Sequence, residues 1–269
     1  MSSAPRPTRI GVQIAPQHAS YDELRAIVLQ LEAMGVDVVF NWDHFFPLFG
    51  DPDGLHFESW TMLASIAEAT SRVEFGPLVN CNSYRNPDLQ ADMARTIDHI
   101  SAKGGTGRFI FGTGSGWFER DYDQYGYSFG TAGGRLDALS DDLPRIRRRW
   151  EQLNPAPTRK IPILIGGGGE RKTLRIVAQH ADIWHSFSDP QTLEHKLSVL
   201  RGHCDAVGRN LSDIELSGSA AAASPGEPDI ERLEQHRSLG VSLFVFGISA
   251  PDPDLATVEA LLAWRDSLG

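Results

Sequence analysis

The chain is 269 residues long, enough for one large α/β domain or two small ones around a substantial core. Its 41% hydrophobic and 22% charged residues are ordinary for a soluble enzyme, and its net charge of −10 argues against a nucleic-acid groove or an anionic membrane surface as the main partner. No apolar run approaches the ~20 residues that a membrane span needs.

Met1–Thr8 lacks the apolar core of a secretion signal, and Cys81 and Cys204 stand far apart without CxxC spacing. A cytoplasmic protein with two reduced thiols is expected. Strand-like and helix-like runs then alternate along the chain. Arg9–Ile14 reads as a strand, followed by a helix over Tyr21–Met34 with apolar residues at 24, 27, 28, 31 and 34 and Gly35 as its stop. Val36–Phe40 is the second strand and Glu58–Thr70 a helix. Val73–Asn80 is the third strand, before a helix over Pro87–Ala102 with proline in its first turn. Arg108–Thr113 is the fourth strand, and Ala132–Leu153 a long helix whose basic tail, Arg145–Arg149, complements the helix dipole. Ile161–Ile165 and Ala181–Phe187 are strands five and six, separated by a helix over Arg171–His180. A helix over Pro190–Val207 leads to strand seven at Asp213–Ser217. The segment Ala220–Pro228, small and proline-rich, reads as a mobile loop on the active face. A helix over Pro228–Leu239, strand eight at Val241–Phe246 and a helix over Pro253–Leu268 complete the chain.

Eight apolar strands, each followed by helical sequence, predict an α/β fold: a (β/α)8 TIM barrel forming a single domain over residues 1–269. A doubly wound sheet would show fewer strands and a glycine-rich turn after the first, where this chain has Ala15-Pro16-Gln17-His18. The barrel gathers the C-terminal ends of its strands on one face. That face is expected to carry Gln17 and His18, Asp43 and His44, Asn80–Asn82, Ser115–Trp117, Gly166–Gly169, and Trp184–Ser186. A carboxylate beside an imidazole, Asp43-His44, is a general acid/base or cofactor-anchoring pair. Gly166-Gly167-Gly168-Gly169 precedes a helix opening with Arg171 and Lys172, which predicts a phosphate site at a helix N-terminus. The run Gly112–Gly116 is a second close-approach loop and fits neither GxGxxG nor GxSxG. His18, His44, His56, His180, His185, His195 and His203 are too dispersed for a local metal motif, so no metal is expected. A metallohydrolase would need ligands converging from distant strands and stays an alternative. His180, His195 and His203 are expected to face solvent, and Trp60 and Trp150 to pack.

Together these segments resemble the luciferase-like oxidoreductase family, and within it the coenzyme F420-dependent branch. The matching pieces are Trp42–Pro47, Gly76–Pro87, Gly112–Tyr122 and Ile163–Gly169, in the family's order. The resemblance implies a barrel holding F420 across its C-terminal mouth, with Asp43 holding the cofactor and His44 near its reactive carbon. It also implies a bulge with a non-prolyl cis peptide within Pro77–Asn80, where Leu78, Val79 and Asn80 support the ring. Ser115 and Gly116 match the loop over the ring, and Gly166, Gly167, Gly168 and Gly169 with Arg171 match the phosphate segment. Related sugar-phosphate dehydrogenases carry a glutamate where this chain has Trp117, which leaves His44, tuned by Asp43, as the acid/base candidate. The insertion before strand five, Glu151–Lys160, is short, so an open mouth is expected. The implied activity is hydride transfer between F420 and a small organic substrate resting on Trp42, Phe45, Phe46 and Trp117. The alternatives are an FMN-dependent monooxygenase of the same family and a non-catalytic deazaflavin or flavin carrier. Family members are often dimers, so a homodimer is an expectation by analogy.

Overall fold

The computed structural model describes residues 6–269, so the leader reading of Met1–Thr8 rests mostly on residues outside those described. In β1 (Arg9–Ala15) Ile10, Val12 and Ile14 face outward into the helix layer, while Gly11 abuts the inward-facing Phe40, Leu243 and Val245. The helix α1 (Tyr21–Met34) has the limits its pattern predicts. Ser20 and Glu23 form a reciprocal capping box at its start, and Gly35, at φ +98, ends it in the left-handed conformation. Then follow β2 (Val38–Asn41), α2 (Ser59–Ala69), β3 (Glu74–Pro77) and β4 (Asn80–Cys81). Next come α3 (Pro87–Ala102), β5 (Phe111–Gly114), α4 (Glu119–Tyr125), α5 (Ala132–Gln152), β6 (Ile163–Gly166) and α6 (Thr173–His180). The chain continues through β7 (Ile183–Ser186), α7 (Pro190–Ala206), β8 (Glu215–Ser219), β9 (Ala222–Ser224) and β10 (Glu227–Pro228), and ends with α8 (Ile230–Ser238), β11 (Val241–Ser249) and α9 (Leu255–Ser267).

Nine of these strands form one parallel sheet in the order β3-β2-β1-β11-β8-β7-β6-β5-β4. The ends of that order are two halves of one wall position, because β3 and β4 flank the cis Leu78–Val79 peptide. β3 pairs with β2 and β4 with β5, and at the base the Phe75 amide and carbonyl bond to Arg108 O and Ile110 N, closing the barrel. The third predicted strand is therefore real but broken. Its seam explains two glycines: a Cβ on Gly76 would lie 2.1 Å from Ile110 O, and one on Gly112 would lie 1.9 Å from Pro77 O.

Val38, Phe40, Leu78, Ile110, Leu164, Ile183, Leu243 and Val245 fill the barrel interior, and a larger apolar layer lies between wall and helices. At the base Arg9 pairs with Glu74 at 2.6 Å and Glu215 at 2.7 Å, and Arg159 pairs with Glu74 at 2.8 Å. Two segments differ from expectation. Ala220–Pro228 is not a free loop: β9 and β10 pair as a hairpin, and the Gly226 amide at its turn donates to Thr257 Oγ1 at 2.7 Å. The short α4, absent from the sequence reading, packs its buried Asp121 and Tyr122 toward the mouth. Among the described residues no helix is long and apolar enough to cross a membrane.

Candidate active site

The C-terminal mouth holds a cavity of about 400 Å³. The shelf Leu78–Cys81 lies on one side of it and Gly114–Trp117 on another, with Gly166 and Gly167, Trp42–His44, Leu48, Gln13 and Phe187 completing the lining. Val79 stands between two strand ends: a Cβ on Gly114 would come within 2.8 Å of its Cγ2, and one on Gly166 within 3.0 Å of its Cγ1. Gln13, not singled out from sequence, donates its amide to Leu78 O and so steadies the shelf. Asn80 is wholly buried, accepting from Trp60 Nε1 at 2.9 Å and donating to Gln90 Oε1 at 2.7 Å.

Asp43 and His44 part company as the chain leaves β2. His44 Nδ1 bonds to Asp121 Oδ2 at 2.7 Å, and Asp121 also accepts from the Phe45 amide and from Tyr84 Oη at 2.8 Å. An ionised carboxylate only accepts, so Nδ1 carries the proton and the opposite edge of the ring, Nε2, is left for the cavity. Asp43, expected to tune His44, instead pairs bidentately with Arg85, at 2.6 and 2.9 Å, and accepts from the Cys81 amide at 3.0 Å. Burial pushes the Asp43 carboxyl up from its ordinary range, with the Arg85 guanidinium opposing that shift. Arg85 is shared with Glu58 at 2.7 Å. Burial raises the Cys81 thiol to about 11; its Sγ faces Tyr122 Oη at 3.2 Å.

Gly116 is required by packing, since a Cβ there would meet Tyr122 Oη at 2.1 Å and Cys81 Sγ at 2.5 Å, and its φ is +82. Trp117 edges the His44 ring at 5.6 Å between centroids and is 64% exposed. Trp42 Nε1 donates to His56 Nε2 at 3.1 Å. Burial lowers His56 to about 4, so it accepts as a neutral ring. Phe45 and Phe46 lie outside the cavity lining. Phe45 stacks on Tyr125 at 4.0 Å, and Arg120 lies 4.2 Å over Phe46, so both rings brace α4. Gln17 and His18 are also spent structurally. Both bond the Phe49 carbonyl and Gln17 accepts from the Leu48 amide, clamping the loop after β2. His185 is buried against Ser217 Oγ at 2.8 Å, and burial lowers it to about 3.

The glycine run continues from the mouth into a second cavity of about 390 Å³, lined by Gly168–Thr173 and Leu136. α6 begins at Thr173, two residues later than expected, so Arg171 and Lys172 precede its first turn. Lys172 is held by Asp137 at 2.7 Å, Arg171 is exposed, and Lys196 from α7 reaches Gly168, where a Cβ would sit 3.0 Å from its Nζ. Glu170 also lines this cavity and pairs with His195 at 3.2 Å; the bare backbone of Gly168 and Gly169 beside the cations suits a phosphate ester. The shelf, the glycine flanks and this cradle fit a flavin or deazaflavin phosphate lying across the mouth. Among the described residues no three His, Cys, Asp or Glu side chains are grouped to hold a metal ion.

A family model described as luciferase-like monooxygenase matches residues 6–245. The chain belongs to this family. This luciferase-like protein is 26% identical over 243 residues to an uncharacterized protein of Mycobacterium tuberculosis, the match covering 81% of each chain. It is 25% identical over 238 residues to pyrimidine monooxygenase RutA of Cronobacter turicensis, covering 75% of this chain and 58% of that one. In fold it is similar to an F420-dependent secondary alcohol dehydrogenase in complex with an F420-acetone adduct, with a TM-score of 0.81, 16% identity, and 93% and 96% of the two chains covered.

Proposed function

We propose that this luciferase-like protein is an oxidoreductase that binds coenzyme F420 across the barrel mouth and transfers a hydride between it and a small organic substrate. The observation that carries the reading is the His44 imidazole, fixed by a buried carboxylate and lining the mouth cavity, from which the glycine run leads to a second cavity beside Arg171 and Lys172. When bound, the deazaflavin supplies two electrons as a hydride and reacts poorly with oxygen. Leu78, Val79 and Asn80 would support its ring, Ser115 and Gly116 would flank it, and Gly166–Gly169 with Arg171 and Lys196 would hold its phosphate. Asp43 would act through Arg85 and the Cys81 amide, holding the shelf in shape. His44 Nε2 would give or take the proton that accompanies the hydride, and Trp117 would shield it from water.

The likeness to RutA favours a second reading, a flavin-dependent monooxygenase on the same barrel. Parallel titrations with F420 and FMN, followed by tryptophan fluorescence, separate the two. Micromolar binding of F420 with little for FMN is the expected result. Preference for FMN would move the protein to oxygen chemistry, and binding of neither would remove the cofactor assignment.

A further inference from the structure

We propose that His236 is a positioning residue for the mouth: as an imidazolium it latches the turn that carries Phe187, and cofactor affinity falls when the ring loses its second proton. The effect on affinity rests on the F420 reading above; the latch itself does not. His236 lies in the last turn of α8 and is 1% exposed. Its Nδ1 is 2.9 Å from the Arg232 carbonyl oxygen, one turn back in the same helix. Its Nε2 is 3.0 Å from the carbonyl oxygen of Ser188, in the turn between β7 and α7. A carbonyl oxygen only accepts, so both ring nitrogens must donate, and only the imidazolium carries both protons. In either neutral tautomer one nitrogen lone pair would be buried against a carbonyl oxygen.

The surroundings suit a cation held by dipoles. The C-terminal end of a helix carries partial negative charge, which favours a cation in its last turn. Arg232 and Arg237 on α8 oppose it, and Glu234 neutralises Arg237 at 2.7 Å. In the turn, Asp189 is engaged in capping α7 through Thr192. On β7, His185 is buried neutral and bonds Ser217 Oγ. β8 brings the backbone of Gly218 to the ring, where a Cβ would lie 3.7 Å from His236 Cδ2, and β11 carries no titratable side chain. On α7, Glu194 and His195 are exposed and Lys196 reaches the Gly168 carbonyl. Among the described residues no carboxylate bonds the ring.

The latch acts on the wall of the mouth. Phe187, next to Ser188, lines the cavity while 64% exposed, with its ring against His185 at 4.6 Å between centroids. A ring so exposed takes its place from its backbone. That backbone is tied by the Ser188 amide, which donates to Ser186 Oγ at 3.3 Å, and by His236. The next residue, Asp189, caps the helix from which Lys196 reaches the glycine run. One bond to the Ser188 carbonyl therefore steadies both the Phe187 wall and the start of the helix that delivers a cation to the cradle.

The test uses the full chain. Nitrogen NMR of the cofactor-free protein should show two protonated nitrogens on the His236 ring. The F420 dissociation constant should rise about tenfold as the second proton is lost, the weight of one charge-assisted bond. His236→Gln keeps a donor for the Ser188 carbonyl without a titrating proton, so it should retain tight binding and flatten the pH profile. His236→Leu should bind about tenfold more weakly at every pH and exchange the Ser188 amide hydrogen faster. A ring with a single proton down to about pH 5 overturns the imidazolium. A pH profile unchanged in His236→Gln, or tight binding by His236→Leu, overturns the role at the mouth while the cofactor reading stands. If the wild type does not bind F420, the cofactor reading falls. The latch then stands on faster Ser188 exchange in His236→Leu alone, and falls if both variants exchange like the wild type.

Discussion

Nδ1 of His44 lies 2.7 Å from Oδ2 of Asp121, a carboxylate with no solvent exposure that sits 77 residues further along the chain. Asp121 touches neither cavity nor substrate and so acts as a positioning residue for the imidazole. Replacing it with asparagine keeps the shape but lets the side chain donate, which frees the ring to adopt the other tautomer. Asp121→Asn is expected to lower turnover about a hundredfold, with the F420 dissociation constant little changed. Nitrogen NMR of the His44 ring checks the cause, since the variant should lose the signature of a protonated Nδ1. An unaltered tautomer would assign any loss to general disruption.

Arg85 neutralises Asp43 and Glu58 from one half-buried position. Arg85→Met leaves the buried Asp43 carboxylate without a counter-charge, with the Cys81 amide still donating to it, and is expected to cost about 3 kcal/mol in urea unfolding. The double variant Asp43→Asn with Arg85→Met should recover part of that loss. Equal destabilisation of single and double variants would mean that the guanidinium acts by packing alone.

Two glycine substitutions should have opposite signs. Gly112→Ala places a methyl 1.9 Å from the Pro77 carbonyl and should destabilise by about 3 kcal/mol or abolish folding. Gly202→Ala, in α7 with open space around it, should stabilise by about 0.5–1 kcal/mol. Thermal and urea midpoints of the two variants decide this.

His185 is buried neutral, its pKa lowered by burial to about 3. Between about 6.5, where the unfolded ring titrates, and about 3, the unfolded chain binds a proton that the native ring refuses. This group therefore favours unfolding progressively as pH falls through that window, by about 1.4 kcal/mol per unit. In His185→Gln the slope of unfolding free energy against pH should flatten by one proton between pH about 6 and 4. An unchanged slope would show that the ring is protonated in the native state.

Lys196 and Lys172 make different predictions for phosphate binding. Lys172 is held by Asp137, whereas Lys196 reaches only the Gly168 carbonyl. Lys196→Met should weaken cofactor binding about tenfold, the loss of one charge-assisted contact, and Lys172→Met should weaken it less. Fluorescence titration at two salt concentrations measures both.

The barrel and the limits of α1 and α3 were legible because their end signals are local. Ser20, Glu23 and Gly35 bracket the first, and Asn86 with Pro87 opens the other. The shelf was legible from the family resemblance, and the Gly166–Gly169 run from its place between a strand and a helix that opens with basic residues. Asp121 was not, because α4 has seven residues without an apolar stripe, and one acid among the 35 in the chain carries no mark of a partner 77 residues away. Adjacency misassigned the partner of His44. Successive side chains leaving a strand point to opposite sides, so Asp43 turns to Arg85 and His44 to α4. Phe45 and Phe46 follow the same logic, since their rings brace the short helix that delivers Asp121.

The ion pairs at the barrel base join Arg9 to carboxylates 65 and 206 residues away. Closing such spans costs chain entropy before any contact rewards it. During synthesis Arg9 emerges early, yet Glu215 follows only when most of the wall has been made. β1 also waits for β11, its parallel neighbour, which lies near the other end of the chain. β1 is thus made before the strand and carboxylates it pairs with and is among the last strands to find its native surroundings, which ties it to completion of the wall.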